Sequence, residues 1–577
     1  MDSRSGAHVL SQIGELLEAK GAQRFKAKAY IRAARAVVSL DTDDLGALLQ
    51  SGELAATSGI GPATLSVIRD LVETGESSYL AQLREGVPEG LVGLMRVKGL
   101  TPARIQLIHN ELGIENAEEL AAAARDGRLA TLPKIGEKTA AVILRSLEFR
   151  KRSAKMARYP VAAIEAEILR SSVEKHPGVS RAIIAGSVRR FNEIAADLDI
   201  AAECTDDPVK VADSFARSPG VKSAARSADK KSAMIEFVDG TLFDIHCAPK
   251  AGFPVALWRA TGSQAHVDAV IAYLEKKGFS LDGVTLIGKN GKPVRIATED
   301  AFYKAIGLEP IPPELREGRG EVEAAARSSL PDLVSFEAIQ GVLHSHSEYS
   351  DGTATIAEMA KAARERGWSY IGISDHSEAA FYAGGLKRDD VLRQHDEIDE
   401  LNAKSRCFTI LKGIEADILA DGRLDYDADL LDRFDFVIGS IHSRFSMERD
   451  KMTARVLAAM DDPHLTILAH PTGRLLLSRE GYSIDLDAVI EKAAEQRVAI
   501  EINADPHRLD MDWRHCHHAK DLGVIFEIGP DAHSIASLDN VHFGIGMARK
   551  GWLEAGDILN ARSVKEVLNF ARARKSR

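Results

Sequence analysis

Histidines and carboxylates recur at the ends of short apolar runs in the C-terminal half of this chain. His376 follows the run at 370–373, for example, and His470 ends the run at 466–470. Between residues 340 and 560 such runs alternate with helical patterns, which predicts a β/α barrel. The strand ends of a barrel are where polar side chains meet to form a metal-dependent active site. The recurring residues are His344, His346, Asp375, His376, Glu415, His442, His470, Asp531 and His533.

The length and composition place this barrel in a larger, multidomain protein. A chain of 577 residues is too long for one core, and 45% hydrophobic with 28% charged residues is ordinary for a globular protein. No apolar stretch is long enough to cross a bilayer, and the N-terminus has no signal-peptide core. The four cysteines are scattered and form no CxxC pair, so we expect a reduced, cytoplasmic protein without disulfides.

The charge is unevenly distributed along the chain. The net charge of −11 argues against nucleic acid as a partner, but the segment 145–158 is strongly basic, whereas 425–435 is acidic. A polyanion would therefore meet a local basic surface. The alternative is a solvated, charged helix, which this segment taken alone favours.

Residues 1–150 contain three similar turns within a pattern of short helices. Each turn is rich in small residues, encloses Ile or Leu, and leads into a new helix, as in a helix-hairpin-helix element. Glycine allows the sharp turn, and free N–H groups at the helix start can face a phosphate of DNA without reading its sequence. The middle copy departs most, with Thr101 where glycine is expected. The predicted DNA-binding residues are Gly59, Gly61, Gly99, Gly136 and Lys138.

Residues 160–250 change to alternating strands that carry a second set of carboxylates. Asp197 and Asp199 are spaced to share one face of a strand, and Asp244 lies on a later strand. Three such carboxylates form a site for two divalent ions, which phosphoryl transfer requires. Ser187 and Arg190, in a Gly-Ser-x-Arg-Arg motif, would hold a triphosphate.

On these motifs, residues 1–320 resemble a bacterial family X DNA polymerase. The resemblance implies an N-terminal helical DNA-binding domain at 1–80, a fingers-like helical domain at 81–155, a nucleotidyltransferase palm at 156–250 and a thumb-like domain at 251–325. It implies that Asp197, Asp199 and Asp244 bind Mg²⁺ or Mn²⁺. The residues that would contact an incoming dNTP are Gly186, Ser187, Arg190, Thr261 and Gly262.

The chain departs from this family where the nucleotide's sugar and base are sensed. Arg259 and Ala260 replace an aromatic pair, Val267 replaces an Asn that hydrogen-bonds the nascent base pair, and Ile271 replaces an Arg. A pocket that loses hydrogen-bond donors should lose affinity or discrimination, at about 1 kcal/mol or more per bond. Our hypothesis is that polymerase activity is weak, altered or absent.

Residues 335–577 resemble a PHP (polymerase and histidinol phosphatase) domain. Mixed imidazole and carboxylate donors favour Mn²⁺, Zn²⁺ or Fe over Mg²⁺ and Ca²⁺. Glu415 would bridge two metals that supply a hydroxide nucleophile, and either His442 or His533 would act partly as a proton donor. The metal ligands that the resemblance implies are His344, His346, Asp351, His376, Glu415, His442, His470, Asp531 and His533.

Other polar residues of this half have two interpretations. Arg474 and Arg508 would grip a substrate phosphate with a bidentate fork, or equally form ion pairs within the barrel. Six other histidines are expected to be ordinary hydrogen-bonded residues: His395, His464, His507, His515, His517 and His518.

The predicted fold is multidomain α/β, with a helix-hairpin-helix region, an α+β palm and a distorted, TIM-like β/α barrel. The predicted function is DNA repair: a monomeric, nucleoid-associated protein that binds gapped, nicked or 3′ DNA ends and dNTP. Its barrel would act as a 3′–5′ exonuclease with Mn²⁺ or Zn²⁺. Two alternatives are an inactive polymerase region that delivers DNA ends to the nuclease, and a small-molecule phosphatase resembling histidinol phosphatase.

Overall fold

The computed structural model describes residues 3–19, 24–40, 44–57, 59–84, 94, 97 and 99–575. The chain forms two compact units, Met1–Ala154 and Lys155–Arg577. Among the described residues, no helix has both the length and the apolar character needed to span a membrane.

The first unit is helical, and its described residues form two apolar clusters. The first cluster includes Leu10, Ile13 and Ile68, and the second includes Ile108 and Ile143. Amphipathic helices supply both clusters, since each turns one apolar stripe inward. The helices are α1 (Ser3–Ala19), α2 (Arg24–Ser39), α3 (Leu45–Ser51), α4 (Glu53–Ala56), α5 (Pro62–Thr74), α6 (Ser78–Arg84), α7 (Pro102–Leu112), α8 (Ala117–Arg125) and α9 (Glu137–Ser153).

The three predicted hairpins share one backbone pattern, in which a left-handed residue stands two positions before the N-cap of the next helix. Gly59, with φ of 91°, precedes the N-cap Gly61 of α5, and Gly99, with φ of 94°, precedes the N-cap Thr101 of α7. Thr101 is suited to this place because its side chain accepts a hydrogen bond from the N–H of Arg104. In the third hairpin the left-handed residue is Lys134, with φ of 66°.

The segment of the second unit that is predicted to be the palm contains seven strands. The strands are β1 (Ala157–Arg158), β2 (Val179–Ile184), β3 (Ile194–Ala195), β4 (Leu198–Cys204), β5 (Val221–Arg226), β6 (Ser232–Phe237) and β7 (Leu242–Pro249). Five of them form one sheet in the order β2-β4-β7-β6-β5, in which β4 and β7 are parallel neighbours, while β1 and β3 form a separate pair. The palm helices are α10 (Tyr159–Glu174), α11 (Gly186–Arg189) and α12 (Pro208–Phe215).

A thumb-like region follows the palm and has its own apolar core around Trp258 and Phe302. Val267 lies in this core, and Ile271 packs against it. Its elements are α13 (Phe253–Thr261), α14 (Gln264–Lys276), β8 (Ser280–Asp282), β9 (Thr285–Ile287), α15 (Glu299–Ile306) and α16 (Glu321–Ala326).

Seven parallel strands, neighbours in sequence order, form the C-terminal barrel. Most of their residues are buried on both faces, as expected for parallel strands covered by helices. The strands are β10 (Gly341–Val342), β11 (Tyr370–Ile373), β12 (Thr409–Asp417), β13 (Phe436–Ser440), β14 (Leu465–Leu468), β15 (Ala499–Asn503) and β16 (Phe526–Gly529). The helices are α17 (Ile356–Glu365), α18 (Arg388–Ala403), α19 (Ala428–Leu431), α20 (Arg449–Met460), α21 (Leu486–Gln496), α22 (Trp513–Asp521), α23 (Val541–Lys550) and α24 (Val564–Lys575).

The barrel is nearly closed where the chain continues past its first and last strands. A parallel bridge joins Ser345 to Ala532, and the N–H of His346 donates to the carbonyl oxygen of Ala532 at 2.8 Å. His344 and His346 therefore lie just beyond the short strand β10, and an isolated bridge orients them.

Buried polar contacts join the palm to the barrel. Glu193 accepts hydrogen bonds from the indole N–H of Trp513 at 3.0 Å and from Arg514 at 2.7 Å. Burial opposes ionisation of Glu193, but Arg514 and Arg474 hold its pKa below the ordinary value. A charged carboxylate at this position therefore ties the two regions together.

Candidate active sites

Strand pairing brings the three predicted palm aspartates together. Asp199 on β4 lies opposite Asp244 on β7 in the parallel register, and Asp197 immediately precedes β4. Nε2 of His246, also on β7, lies 3.0 Å from Oδ1 of Asp199. The side chains of neighbouring parallel strands at one level share a face, so the carboxylates converge.

The electrostatics of this triad fit a divalent cation. Burial and the neighbouring Asp199 raise the pKa of Asp197 and raise that of Asp244 to about 6. One oxygen of Asp244 is buried without a hydrogen-bond partner among the described residues. Repulsion between carboxylates and an unsatisfied oxygen are both relieved when a cation binds.

The predicted phosphate-binding segment begins beside this triad. Gly186 has φ of 58°, and a Cβ at this position would collide with the carboxylate of Asp199. The position therefore requires glycine on grounds of both conformation and space. The hydroxyl oxygen of Ser187 is buried without a hydrogen-bond partner among the described residues, which leaves it available to a ligand.

Arg190, by contrast, is already engaged by neighbouring groups. Its Nε donates to Glu317 at 2.9 Å, and another guanidinium nitrogen donates to the carbonyl oxygen of Thr261 at 2.9 Å. Lys550, from the barrel's helix α23, donates to the carbonyl oxygen of Arg190 at 3.1 Å and also bonds Glu317. The thumb residue Glu317 thus bridges a palm arginine and a barrel lysine.

Thr261 and Gly262 lie at the end of α13. The hydroxyl of fully buried Thr261 accepts a hydrogen bond from Arg189 at 2.7 Å, and the N–H of Gly262 donates to Trp258 at 3.0 Å. Arg189 also pairs with Glu299. Thr261, Gly262 and Arg190, which the sequence predicts to contact a nucleotide, therefore already form hydrogen bonds within the protein.

The replaced residues of the nucleotide pocket have local packing roles. Val267 is buried in the thumb core and Ile271 packs against it, so neither presents a hydrogen-bonding group. Arg259 is exposed and Ala260 is half-buried. The structure therefore puts apolar packing where the family uses two hydrogen-bonding side chains.

The barrel brings all nine predicted metal ligands to one end. His376 follows β11, Glu415 lies in β12, and His442 follows β13. His470 follows β14, and Asp531 follows β16. Because these are parallel strands, their carboxyl ends meet at the same mouth of the barrel.

Glu415 is the centre of this arrangement, within 4 Å of ring nitrogens of five histidines. Its Oε2 lies 2.8 Å from His376 and 3.5 Å from His344, while its Oε1 lies 3.1 Å from His470. Nε2 of His346 lies 3.7 Å from Oε2 of Glu415, and Nε2 of His442 lies 3.3 Å from its Oε1. A carboxylate with its two oxygens directed to different imidazoles is suited to bridging two metals.

Three groups of side chains have ligand atoms close enough to share a cation, within 4.8 Å of one another. One group is His344, His346 and Asp531; another is His376, Glu415 and His442. The third is His346, Asp351, His376 and His533. The groups overlap at His346 and His376, so the barrel mouth has enough ligand atoms to hold more than one cation.

Unsatisfied atoms at this centre support metal binding. Nε2 of His344, Nε2 of His346 and Oε2 of Glu415 are buried and lack a hydrogen bond of acceptable geometry among the described residues. Polar atoms buried in this way are costly unless a ligand satisfies them. The mixture of imidazole and carboxylate donors suits a divalent transition metal.

The histidines of the centre have pKa values shifted in opposite directions. Burial, His533 and His376 lower the pKa of His346 to about 3. Burial opposes the charged form of His442, but Glu415 and Asp417 raise its pKa to about 10. The neutral imidazole of His346 can ligate a metal directly. At His442 the metal ion must first displace a proton from the imidazole.

Three buried residues that the sequence analysis did not identify orient the ligands. Glu501 lies 2.5 Å from Nδ1 of His344, and Asp417 lies 2.7 Å from Nδ1 of His442. Asn503 donates to Asp531 at 3.1 Å. Such partners fix the ring that carries the metal-binding nitrogen. The sequence signal that could have identified them is a polar side chain inside an apolar strand, as at Glu501 in β15.

The two candidate phosphate-binding arginines differ in their surroundings. Arg474 donates to Asp512 at 3.0 Å and to the carbonyl oxygens of Arg508 and Leu509, so it braces the barrel. Arg508 instead lies with its Nε 3.5 Å from Asp531, beside the metal ligands. Of the two, the geometry favours Arg508 as the group that meets a phosphate.

Asp375 does not belong to the ligand set although it precedes His376. Its carboxylate accepts four hydrogen bonds, from the N–H and hydroxyl of Ser347, the hydroxyl of Ser350 and the amide of Gln394. It therefore braces the loop after His346 instead of facing a cation.

The predicted DNA-binding residues of the first unit lie at the starts of helices. Lys138 is exposed in the first turn of α9, whose N-cap Gly136 offers no capping side chain to the first amides. Arg104 donates to the carbonyl oxygens of Gly99 and Lys134, which joins the second hairpin to the third. Helix amides that lack a capping side chain can bind a phosphate.

Family models match four segments of the chain. A helix-hairpin-helix domain matches residues 1–77, and a SAM-like helix-hairpin-helix tandem matches 92–148. A DNA polymerase beta thumb matches 256–317, and a PHP domain matches 343–505.

Curated proteins similar to this chain include one full-length relative and several shorter ones. The chain is 38% identical over 577 residues to the DNA polymerase/3′-5′ exonuclease PolX of Bacillus subtilis (strain 168), covering 99% of each protein. It is 30% identical over 215 residues to a probable phosphatase of Clostridium acetobutylicum, which covers 34% of this chain and 80% of that protein. A probable phosphatase of Caldanaerobacter subterraneus is 29% identical over 196 residues, covering 31% of this chain and 70% of that protein.

Proposed function

Because the chain belongs to the family of bacterial family X DNA polymerases that carry a PHP domain, we propose that its barrel hydrolyses DNA from the 3′ end. We propose that the palm binds DNA ends and adds nucleotides weakly or not at all. The resemblance to this family and the predicted fold class are confirmed. The proposed location is the nucleoid in the cytoplasm.

The observation that carries the nuclease proposal is the convergence of five histidines on Glu415, with Asp351, Asp531 and His533 beside them. Divalent cations held there supply Lewis acidity, which lowers the pKa of water and neutralises charge on a phosphodiester. We propose Mn²⁺ or Zn²⁺ for this centre, because its imidazole donors suit Zn²⁺ and its carboxylate donors suit Mn²⁺.

The surrounding residues orient the ligands and the substrate. Glu501 and Asp417 hold the rings of His344 and His442 in place. Arg508 would contact the scissile phosphate. Water adds to phosphorus, the bond from phosphorus to the 3′ oxygen breaks, and this oxygen would take up a proton from whichever of His442 and His533 holds no cation.

The first unit would bring DNA to these sites. Its hairpins at Gly61, Thr101 and Gly136 present helix N-termini, and basic residues end α9. Such contacts bind the phosphate backbone independently of sequence. The expected substrates are gapped, nicked or 3′ DNA ends.

The palm keeps its carboxylates, but its candidate triphosphate-binding arginine is already paired within the protein. The ion pair of Arg190 with Glu317 and the apolar Val267 and Ile271 favour a region that binds DNA ends with little nucleotide addition. The triad itself fits Mg²⁺ or Mn²⁺, so we propose residual activity with these ions.

A small-molecule phosphatase is the second candidate function. The probable phosphatases match about a third of the chain. The hairpins of the first unit have no use in such an enzyme, which favours DNA as the substrate.

One experiment separates these functions. The protein is incubated with Mn²⁺ and a labelled, gapped duplex, with and without dNTP, as wild type, as Asp197→Ala/Asp199→Ala and as His344→Ala/His346→Ala. We expect 3′ degradation that only the barrel variant abolishes, and little extension. Strong extension that the palm variant abolishes would contradict a weak polymerase. Turnover of a phosphate monoester without any DNA degradation would support the phosphatase.

A further inference from the structure

Two aromatic side chains project into solvent at the mouth of the barrel. Phe381 is 81% exposed and Tyr382 is 57% exposed. Both lie in a short 3₁₀ helix, Phe381–Ala383, in the loop that follows the ligand His376. Large aromatic side chains are usually buried, so an exposed pair beside a metal centre points to a ligand with an apolar face.

The loop that carries this pair is fixed at both ends. The N–H of Leu386 donates to the carbonyl oxygen of His376 at 2.8 Å, and the N–H of Ala379 donates to Asp425 at 2.7 Å. Ala380 and Ala383 are buried beneath the turn. The exposure of the two rings is therefore a consequence of a well-anchored backbone that directs them outward.

The pair is adjacent to the metal ligands. The ring of Tyr382 meets that of His442 edge to face, with centroids 6.4 Å apart. A phosphodiester placed at the ligands and Arg508 would therefore have its attached nucleoside close to these rings.

The relative orientation of the rings suits contact with one planar base. The planes of Phe381 and Tyr382 are inclined at 79°, with centroids 6.0 Å apart. A planar base can stack on one ring and meet the other with its edge.

We propose that Phe381 and Tyr382 stack against the base of the 3′-terminal nucleotide and so position this nucleotide at the metal centre. The proposal rests on the 3′–5′ exonuclease proposed above and names two residues that position its substrate. Any of the four bases can stack on an aromatic ring, because every base has a π-face. The pair would thus hold the terminal nucleotide whatever its base.

The test compares two single-stranded oligonucleotides that differ only in the last nucleotide, thymidine or an abasic tetrahydrofuran. Degradation with Mn²⁺ is followed for wild type, Phe381→Ala, Tyr382→Leu and the double variant. Phe336→Ala is the matched control, since Phe336 is 39% exposed in another 3₁₀ helix that precedes β10, at the opposite end of the barrel strands.

We expect the double variant to lose about 5- to 150-fold in kcat/KM on the thymidine end, mainly through KM, which corresponds to about 1–3 kcal/mol of stacking. The abasic end should lose little, and Phe381→Trp should retain the wild-type preference. Equal losses on both ends, or no loss on either, would overturn the proposal.

Two further measurements separate other causes of failure. The metal content and melting temperature of each variant should match those of wild type. If a variant has lost metal, Tyr382→Phe/Phe381→Leu takes its place in the comparison. A wild type that degrades neither oligonucleotide would contradict the proposed exonuclease itself. A wild type that degrades both ends equally would contradict only the assignment of the aromatic pair.

Discussion

The palm and the barrel each gather carboxylates at strand ends, but they differ in what surrounds these groups. At the barrel, Glu501 and Asp417 orient the ligands, and unsatisfied atoms face the centre. At the palm, the carboxylates converge equally well, yet Arg190 is bound by Glu317.

This difference shows that a set of catalytic residues and a usable site are separate properties. The barrel combines ligands with supporting hydrogen bonds, so binding a cation requires little rearrangement. The palm must break an ion pair before its arginine can meet a triphosphate. The comparison can be tested by changing one residue at a time on each side.

Glu415→Gln should give the largest effect, a loss of about 10³-fold in 3′ degradation, because a neutral amide holds divalent cations and their charge far less well. The rate is measured on a labelled single strand, with metal content determined in parallel. DNA affinity should remain unchanged. Full activity in Glu415→Gln would show that the ligands of the barrel are not what makes it the active site.

The contact between barrel and palm should depend on pH through Lys550. Burial lowers the pKa of Lys550 from 10.5 to about 8. Between these values the unfolded chain binds more protons than the folded one, so the free energy of unfolding rises with pH, by up to about 3 kcal/mol. The thermal midpoint of wild type should therefore rise relative to that of Lys550→Met between pH 8 and pH 10. Parallel slopes in the two proteins would contradict this.

Glu501→Gln should weaken metal binding by about 10- to 100-fold, since the carboxylate that orients His344 is lost. A metal titration of the metal-free protein measures the effect. Glu365→Gln, on the exposed face of α17, serves as the control and should bind metal as wild type does. If both variants bind alike, the supporting residues are not what distinguishes the barrel.

Glu317→Gln should have the smallest effect and the opposite sign, a gain at the palm. Releasing Arg190 should tighten dNTP binding about fivefold, which corresponds to about 1 kcal/mol. Glu314→Gln is the matched control, because Glu314 pairs with Arg549 and not with Arg190. Unchanged dNTP affinity in Glu317→Gln would show that the ion pair does not close the site.

Local sequence signals were sufficient for several features. Turns rich in small residues that lead into a helix predicted the hairpins, and in two of them a glycine takes the left-handed conformation two positions before the N-cap. In the third hairpin Lys134 takes this conformation, which spacing alone does not reveal. The predicted pairing of Asp199 with a carboxylate of a later strand is also seen, since Asp199 lies opposite Asp244, and Asp197 directly precedes the strand of Asp199.

The sequence by itself predicted most of the side chains that gather at the barrel mouth, since histidines and carboxylates at the ends of apolar runs meet wherever parallel strands end together. Only the tertiary structure decided which side chains orient those ligands and which arginine is available. Arg190 meets Glu317, and Glu193 meets Trp513, across long stretches of chain. Local periodicity reports the face on which a residue lies, whereas the partner it meets there depends on the packing of distant elements.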